Sequence, residues 1–199
     1  MKTHHPNPLP LVLASSSSYR KALLDKLGLP YETASPDIDE APHPAEAPES
    51  QARRLATEKA RVLAGRFPAH LIIGSDQVAV AAGLRLGKPG SRENAIAQLR
   101  ASAGKSVVFH TALCVLNSQT GETQVDADRT VVHFRALTDQ QIEHYVDREQ
   151  PLDCAGSFKS EGLGIALFER IEGEDPNALI GLPLIRLIRV LEAFGVRVV

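Results

Sequence analysis

The stretch LVLASSSSYRKALLDKLG, residues 11–28, decides the class of fold. Leu11 to Ala14 is an unbroken apolar run of the length of a short buried strand. Ser15 to Ser18 makes a polar turn, and Ala22, Leu23, Leu24 and Leu27 then recur at helical spacing, with Gly28 placed to end the helix. A strand thus feeds through a polar turn straight into a helix. That alternation continues along the chain.

Residues 36–48 are proline-rich and read as a loop carrying Asp37, Asp39 and Glu40. Ser50 to Leu63 reads as a second helix, with Leu55, Ala56, Lys59 and Val62 at three- and four-residue spacings. Leu71 to Gly74 is a short buried-strand signal, expected to stop at Ser75, Asp76 and Gln77. Val78 to Leu86 alternates about Gly83 as a hairpin does, Gly87 to Gly90 breaks it, and Ser91 is placed to cap a helix through about Leu99. Val107–Leu116 and Val125–Phe134 read as long strands joined across Asn117–Glu122, followed by a helix capped by Thr138 and running to about Val146. A glycine- and serine-bearing segment, Ala155–Gly164, leads to a strand-like Ile165–Ile171, a polar turn at Gly173–Asn177, and an apolar final helix, Ile180–Phe194, with Pro183 in its first turn. The expected fold is α/β, a mixed, elongated sheet flanked by helices with two lobes around a cleft. Residues 1–10 read as a flexible lead and 11–199 as a single domain.

With 199 residues, 43% of them hydrophobic, the chain can bury one sizeable core. Its net charge of -2 and lack of a basic run leave no face for a nucleic-acid polymer. The apolar stretches are too short to span a membrane, and the start, MKTHHPNPLP, lacks the apolar core of a signal peptide. A cytoplasmic location is expected. The two cysteines, Cys114 and Cys154, are expected to be reduced thiols, and the seven histidines form no metal-binding motif. Phe109, Phe134 and Phe194 are expected in the core. The final helix should pack on the sheet, leaving a spare edge able to form a homodimer.

Two places carry candidate chemistry. At the Ser15–Arg20 turn, backbone amides, serine hydroxyls and a planar guanidinium can converge on an anion, or they can form a plain helix cap beside a surface arginine. Asp76 can bind a hard cation or orient water, and Glu40 in the acidic loop can bring a second carboxylate to it. Lys59 on the second helix and Lys88 in the Gly87–Pro89 turn suit the oxygens of several phosphates. Each of these side chains equally suits a salt bridge, and their separation in sequence leaves convergence open.

Taken together, LASSSSYRKALLDKLG, SPDIDE, ATEKA (56–60), IIGSDQ, LGKP, CAGSFKSEG and GLPL resemble the Maf family of nucleotide pyrophosphatases, and in detail its YceF-type branch, whose members hydrolyse 7-methyl-GTP. The likeness runs from about Leu11 to Leu191, with the blocks in family order. It implies a Maf/ITPase-like fold and a nucleotide-binding cleft. It further implies a phosphate-binding turn at Ser15 and Arg20, a catalytic proton acceptor at Asp76, a metal- or phosphate-side carboxylate at Glu40, and phosphate lysines at Lys59 and Lys88. Tyr19, Gln77 and Glu161 fall on positions associated with choice of base. Ser18 replaces a common proline and Tyr19 a frequent tryptophan; a serine still suits the turn and a tyrosine keeps the aromatic face. Phe158 and Lys159 are further candidates for the border of the base pocket.

The implied reaction is attack of water on the α-phosphorus with loss of pyrophosphate, aided by a divalent cation, Mg²⁺ or alternatively Mn²⁺. An unperturbed aspartate, with a reference pKa of about 3.9, is a weak base, so Asp76 acts either as the proton acceptor or mainly as a ligand orienting metal-bound water. A second reading keeps this chemistry for dTTP, UTP or 5-methylpyrimidine triphosphates. The pyrimidine branch usually has threonine and glutamine where this chain has Gln77 and Glu161. A third reading is a nucleotide-binding structural protein without turnover.

Overall fold

The computed structural model describes residues 9–199. Residues 1–8 of the expected lead lie outside the described residues; Pro10 already accepts a backbone hydrogen bond from Leu71 at 2.9 Å.

A seven-stranded mixed sheet organises the chain. Its strands are β1 (Leu11–Ala14), β2 (Tyr31–Ala34), β3 (Leu71–Ala81), β4 (Leu84–Leu86), β5 (Ser106–Asn117), β6 (Thr123–Phe134) and β7 (Phe168–Glu172). The helices are α1 (Ser18–Asp25), α2 (Pro48–Val62), α3 (Arg92–Ser102), α4 (Asp139–Glu149) and α5 (Leu184–Ala193). Strand order is β2-β1-β3-β5-β6-β7, with β4 also on β3. The first three of these pair in parallel, and β3 through β7 pair antiparallel. The expected mixed, elongated α/β sheet is present.

The period-two alternation of β3 sorts the helices. Ile72 and Val78 join Ala52, Ala56 and Ala60 of α2, and Leu63 just after it, in a cluster on one face. On the other face, Leu13 and Ile73 pack with Leu23 and Leu24 of α1 and Leu187 and Leu191 of α5. Farther along that second face, Ala79, Phe109, Val132 and Phe134 pack with Leu99 of α3 and Ile142 and Val146 of α4. Phe134, Phe158 and Phe168 meet edge to face there, with ring centroids 4.9–5.7 Å apart.

Local chemistry sets the helix starts. Ser17 and Ser91 cap α1 and α3 through their side chains, Thr138 and Gln141 form a capping box on α4, and Pro48 opens α2.

Five readings of the sequence need correction. β3 does not stop at Gly74 but runs on to Ala81, because β5 pairs with it along its whole length. Asp76 therefore lies within a strand, not beyond one. The strand-like Ile165–Ile171 divides into a 3₁₀ turn, Leu163–Leu167, and β7. The final helix begins at Leu184: Pro183 is its cap residue, and the Asp175 carboxylate accepts the Ile185 N–H at 2.6 Å. β2 was not foreseen, since YETA shows no apolar run; it is recruited by parallel pairing with β1. Phe109 and Phe134 are buried as expected, whereas Phe194 is only partly so.

Candidate active site

One edge of β3 pairs with β5 throughout, so β1 and β4 share the other edge. Pairing with β1 extends along β3 only to Gly74, and pairing with β4 begins at Ala79. Between them Ser75–Val78 lies in a notch in the sheet, at the point where parallel pairing gives way to antiparallel. A crevice at a change of strand direction is where open α/β sheets place ligands. Here a cavity of about 570 Å³ opens at the notch, a size suited to a nucleotide-scale ligand.

Ser15, Tyr19, Arg20, Glu40, Lys59, Asp76, Gln77, Lys88 and Glu161 all line this cavity. The sequence candidates therefore converge.

Alternation along β3 gives Asp76 and Gln77 different neighbours. Asp76 faces α2, where Lys59 Nζ donates to its Oδ1 at 2.6 Å. The same Nζ stands 2.6 Å from Glu40 Oε1, so one ammonium bridges both carboxylates. The Lys59 and Asp76 side chains are 6% and 9% exposed, but Glu40 is 60% exposed and can move. Burial pushes the Asp76 carboxyl above the ordinary aspartate value; Lys59 and Arg20 oppose the shift, and Glu40 adds to it. Burial also acts to raise Glu40, but the Lys59 hydrogen bond and charge, aided by Lys88 and Arg20, hold it below its ordinary value. Asp76 is thus made more basic while Glu40 stays ionised.

Gln77 points to the other face. Its amide nitrogen donates to Thr111 Oγ1 at 2.9 Å and to the Ala178 and Leu179 carbonyls at 3.0 Å. These bonds fix the wall formed by residues 178–181 and commit the amide N–H groups. Ser75, which the sequence reading left without a role, reinforces that wall by donating to Ala112 and Gly181 carbonyls at 2.8 and 2.9 Å. Arg20 Nε donates to the same Gly181 carbonyl at 2.9 Å. Burial draws the Arg20 guanidinium below its ordinary value, against the pull of Asp76 and Glu40, yet such a group stays protonated in proteins.

The Ser15–Ser17 turn joins β1 to α1. Ser15 Oγ accepts the Ser17 N–H at 3.1 Å, and Ser17 Oγ accepts that of Arg20 at 3.4 Å. Gln51 of α2 is another residue the sequence reading missed. Its amide donates to the Glu40 carbonyl at 3.4 Å and accepts from Arg85 Nε at 2.8 Å, tying the acidic loop to β4.

At the mouth, the Tyr19 hydroxyl donates to Asp153 Oδ1 at 3.2 Å, and the Cys154 thiol lies 3.6 Å from that hydroxyl. Burial, then Cys154 and Asp153, push the Tyr19 phenol upward. Burial likewise pushes the Cys154 thiol up to about 11, so it is neutral near pH 7. Both cysteines are free thiols, as expected. Phe158 lines the cavity, but Lys159 does not: its ammonium donates to the Glu149 carbonyl at 2.9 Å.

Among the described residues, no three His, Cys, Asp or Glu side chains gather to hold a metal. Glu40 and Asp76 nevertheless place hard carboxylate oxygens on one point, marked by Lys59 Nζ. Two such oxygens could hold a divalent cation in place of that ammonium.

The family profile of Maf-like proteins matches residues 10–194. The chain belongs to the Maf-like family. Maf-like relatives include a protein named 7-methyl-GTP pyrophosphatase from Nitrosococcus oceani, 55% identical over 98% of this chain and 98% of its own. Proteins of the same name from Methylobacillus flagellatus and Alcanivorax borkumensis are 58% and 59% identical, over 96% and 94% of this chain and 99% and 95% of theirs. Among solved structures, the Staphylococcus aureus Ham1 protein aligns with this Maf-like chain at a TM-score of 0.44 and 16% identity, covering 64% of this chain and 72% of that one.

Proposed function

We propose that the chain is a nucleoside triphosphate pyrophosphatase that hydrolyses 7-methyl-GTP to 7-methyl-GMP and pyrophosphate, removing a modified nucleotide from the cytoplasmic pool. The observation that carries the reading is the bridge at the notch: a buried Lys59 holding Asp76 and Glu40 in a cavity that also receives Arg20, Lys88 and Ser15. The Maf-like relatives that bear this activity in their names support the choice of substrate.

In this account Ser15, Arg20 and Lys88 bind the triphosphate, and their charge offsets that developing on the departing pyrophosphate. Asp76, made more basic by burial, accepts the proton of a water aligned on the α-phosphorus. Lys59 fixes the Asp76 carboxylate, and its ammonium then pairs with phosphate oxygens. A divalent cation, Mg²⁺ or Mn²⁺, held by Glu40 and Asp76, supplies positive charge shared with the phosphates when bound. Tyr19 stacks on the base, Glu161 accepts from its Watson–Crick N–H groups, and Gln77 positions the wall beside it. Attack at the α-phosphorus makes pyrophosphate the leaving group, which separates this activity from that of a phosphatase.

Glu161 favours a base that is cationic and rich in donors over the pyrimidine alternative. Among the described residues no helix is long and apolar enough to cross a membrane. The outward edge of α5, where Ile185 is exposed, is our proposed homodimer contact.

The test is a panel of kcat/KM values for 7-methyl-GTP, GTP, dTTP, UTP and 5-methylpyrimidine triphosphates with Mg²⁺. A clear preference for 7-methyl-GTP is expected. Equal efficiency with GTP, or preference for a pyrimidine, overturns the substrate reading, and absence of any turnover overturns the enzyme.

A further inference from the structure

Two carboxylates of the cavity are bound to a cation, and two are not. Glu40 and Asp76 share Lys59. Asp153 and Glu161 also line the cavity, yet among the described residues neither forms a salt bridge with any lysine, arginine or histidine. Both come from the segment that follows α4, so that wall presents negative charge with no cation of its own. Asp153 has one further feature. Its Oδ1 accepts the Tyr19 hydroxyl at 3.2 Å, joining the aromatic residue of the first turn to the opposite lobe.

We infer that Asp153 is a second determinant of base choice, selecting for a cationic purine with Tyr19. The inference rests on the 7-methyl-GTP reading and extends it to a residue that the specificity motifs leave out. A 7-methylated guanine carries positive charge on its imidazole ring, which guanine lacks. An unpaired carboxylate beside the ring attracts that charge directly. It acts a second time through Tyr19: an anionic acceptor on the phenol hydroxyl holds the ring in place and adds electron density to the face on which a cation stacks. Neutral GTP gains from the held ring but from neither the charge nor the added electron density. The Cys154 thiol, neutral near pH 7, adds no competing charge.

Asp153→Asn is the informative change, because it removes the charge while keeping an acceptor for Tyr19. A gentle change also matters because the turn carrying Lys88 is anchored next door, Gly90 N–H donating to the Leu152 carbonyl at 2.9 Å. The experiment measures kcat/KM for 7-methyl-GTP and GTP in wild type, Asp153→Asn, Asp153→Glu and Tyr19→Phe, at low and high salt. Asp153→Asn should lower the 7-methyl-GTP to GTP ratio about fivefold or more, the effect of one unit charge about 4 Å away in a solvated site. The loss should fall on KM for the methylated substrate, GTP values should hold, and Asp153→Glu should restore the ratio. High salt should lower the wild-type ratio more than that of Asp153→Asn. An unchanged ratio, or equal losses on both substrates as expected of a metal ligand or a structural prop, overturns the inference. A wild type that does not prefer 7-methyl-GTP overturns instead the substrate reading beneath it.

Discussion

Gly74 of β3 lies so close to α2 that a methyl group added to it would stand 2.1 Å from the Ala56 carbonyl oxygen. This approach lets the helix rest directly on the strand. Three residues farther along the helix is Lys59, and two farther along the strand is Asp76, which meet at 2.6 Å. A glycine without a side chain thus sets the spacing of the central ion pair.

Gly74→Ala should therefore act on both stability and turnover. The added methyl meets backbone rather than a flexible side chain, so α2 must shift, at about 1–3 kcal/mol or more of unfolding free energy. Denaturant unfolding should register that loss, and kcat/KM should fall with it as Lys59 and Asp76 separate. Gly65→Ala is the control, since nothing lies within 4 Å of its added methyl. Equal behaviour of the two variants contradicts the role given to Gly74.

Asp76→Asn keeps the shape and removes the negative charge and the proton acceptor. Turnover should drop by about 10²–10⁴-fold, the usual contribution of a positioned general base. Nucleotide affinity, followed by calorimetry, should change much less. A variant that retains the wild-type rate removes Asp76 from the chemistry.

The sequence made the alternation of strands and helices legible, because buried apolar runs, caps and glycine stops are local signals. The capping residues Ser91 and Thr138 stand where they were read. The length of β3 was not legible. Polar Ser75, Asp76 and Gln77 look like a strand end until β5 supplies a partner at every position and the notch supplies a use for their side chains. β2 was missed for a related reason, its residues being half polar and its pairing remote. Ser15, Arg20, Glu40, Lys59, Asp76 and Lys88 were legible from residue type and position, and the base-choice roles of Tyr19, Gln77 and Glu161 only from family-like motifs, while the tertiary contacts among them were out of reach. Ser75 and Gln51 act through carbonyls far along the chain, which leaves no periodic trace. Gly74 did leave one: a glycine inside an apolar strand signals close backbone approach.

The pH dependence follows from the two carboxylates. Asp76 is raised by burial, so its ionisation opposes folding: stability linked to it is fully present below the ordinary aspartate range and is lost as pH rises through the raised value. Glu40 is lowered, so its contribution is present above the ordinary glutamate value and is lost as pH falls through the lowered one. The acid limb of kcat/KM should accordingly lie above the reference aspartate value of about 3.9 and should vanish from the residual activity of Asp76→Asn. A wild-type limb at or below that value contradicts a raised Asp76.

Glu161→Gln keeps the size of the side chain, removes its charge, and turns one acceptor into a donor. The 7-methyl-GTP to GTP ratio should fall about fivefold or more, because only the cationic ring loses an attraction of about 1 kcal/mol or more to the carboxylate charge, while hydrolysis of GTP persists. Parallel steady-state measurements on the two nucleotides check this, and an unaltered ratio removes Glu161 from base recognition.

The most direct test of the central claim is product analysis of 7-methyl-GTP hydrolysis in ¹⁸O-labelled water with Mg²⁺ present. Attack at the α-phosphorus predicts 7-methyl-GMP carrying the label and unlabelled pyrophosphate as the first products. Orthophosphate as the first product, or label in the pyrophosphate, would contradict the assignment of the cleft to pyrophosphate release.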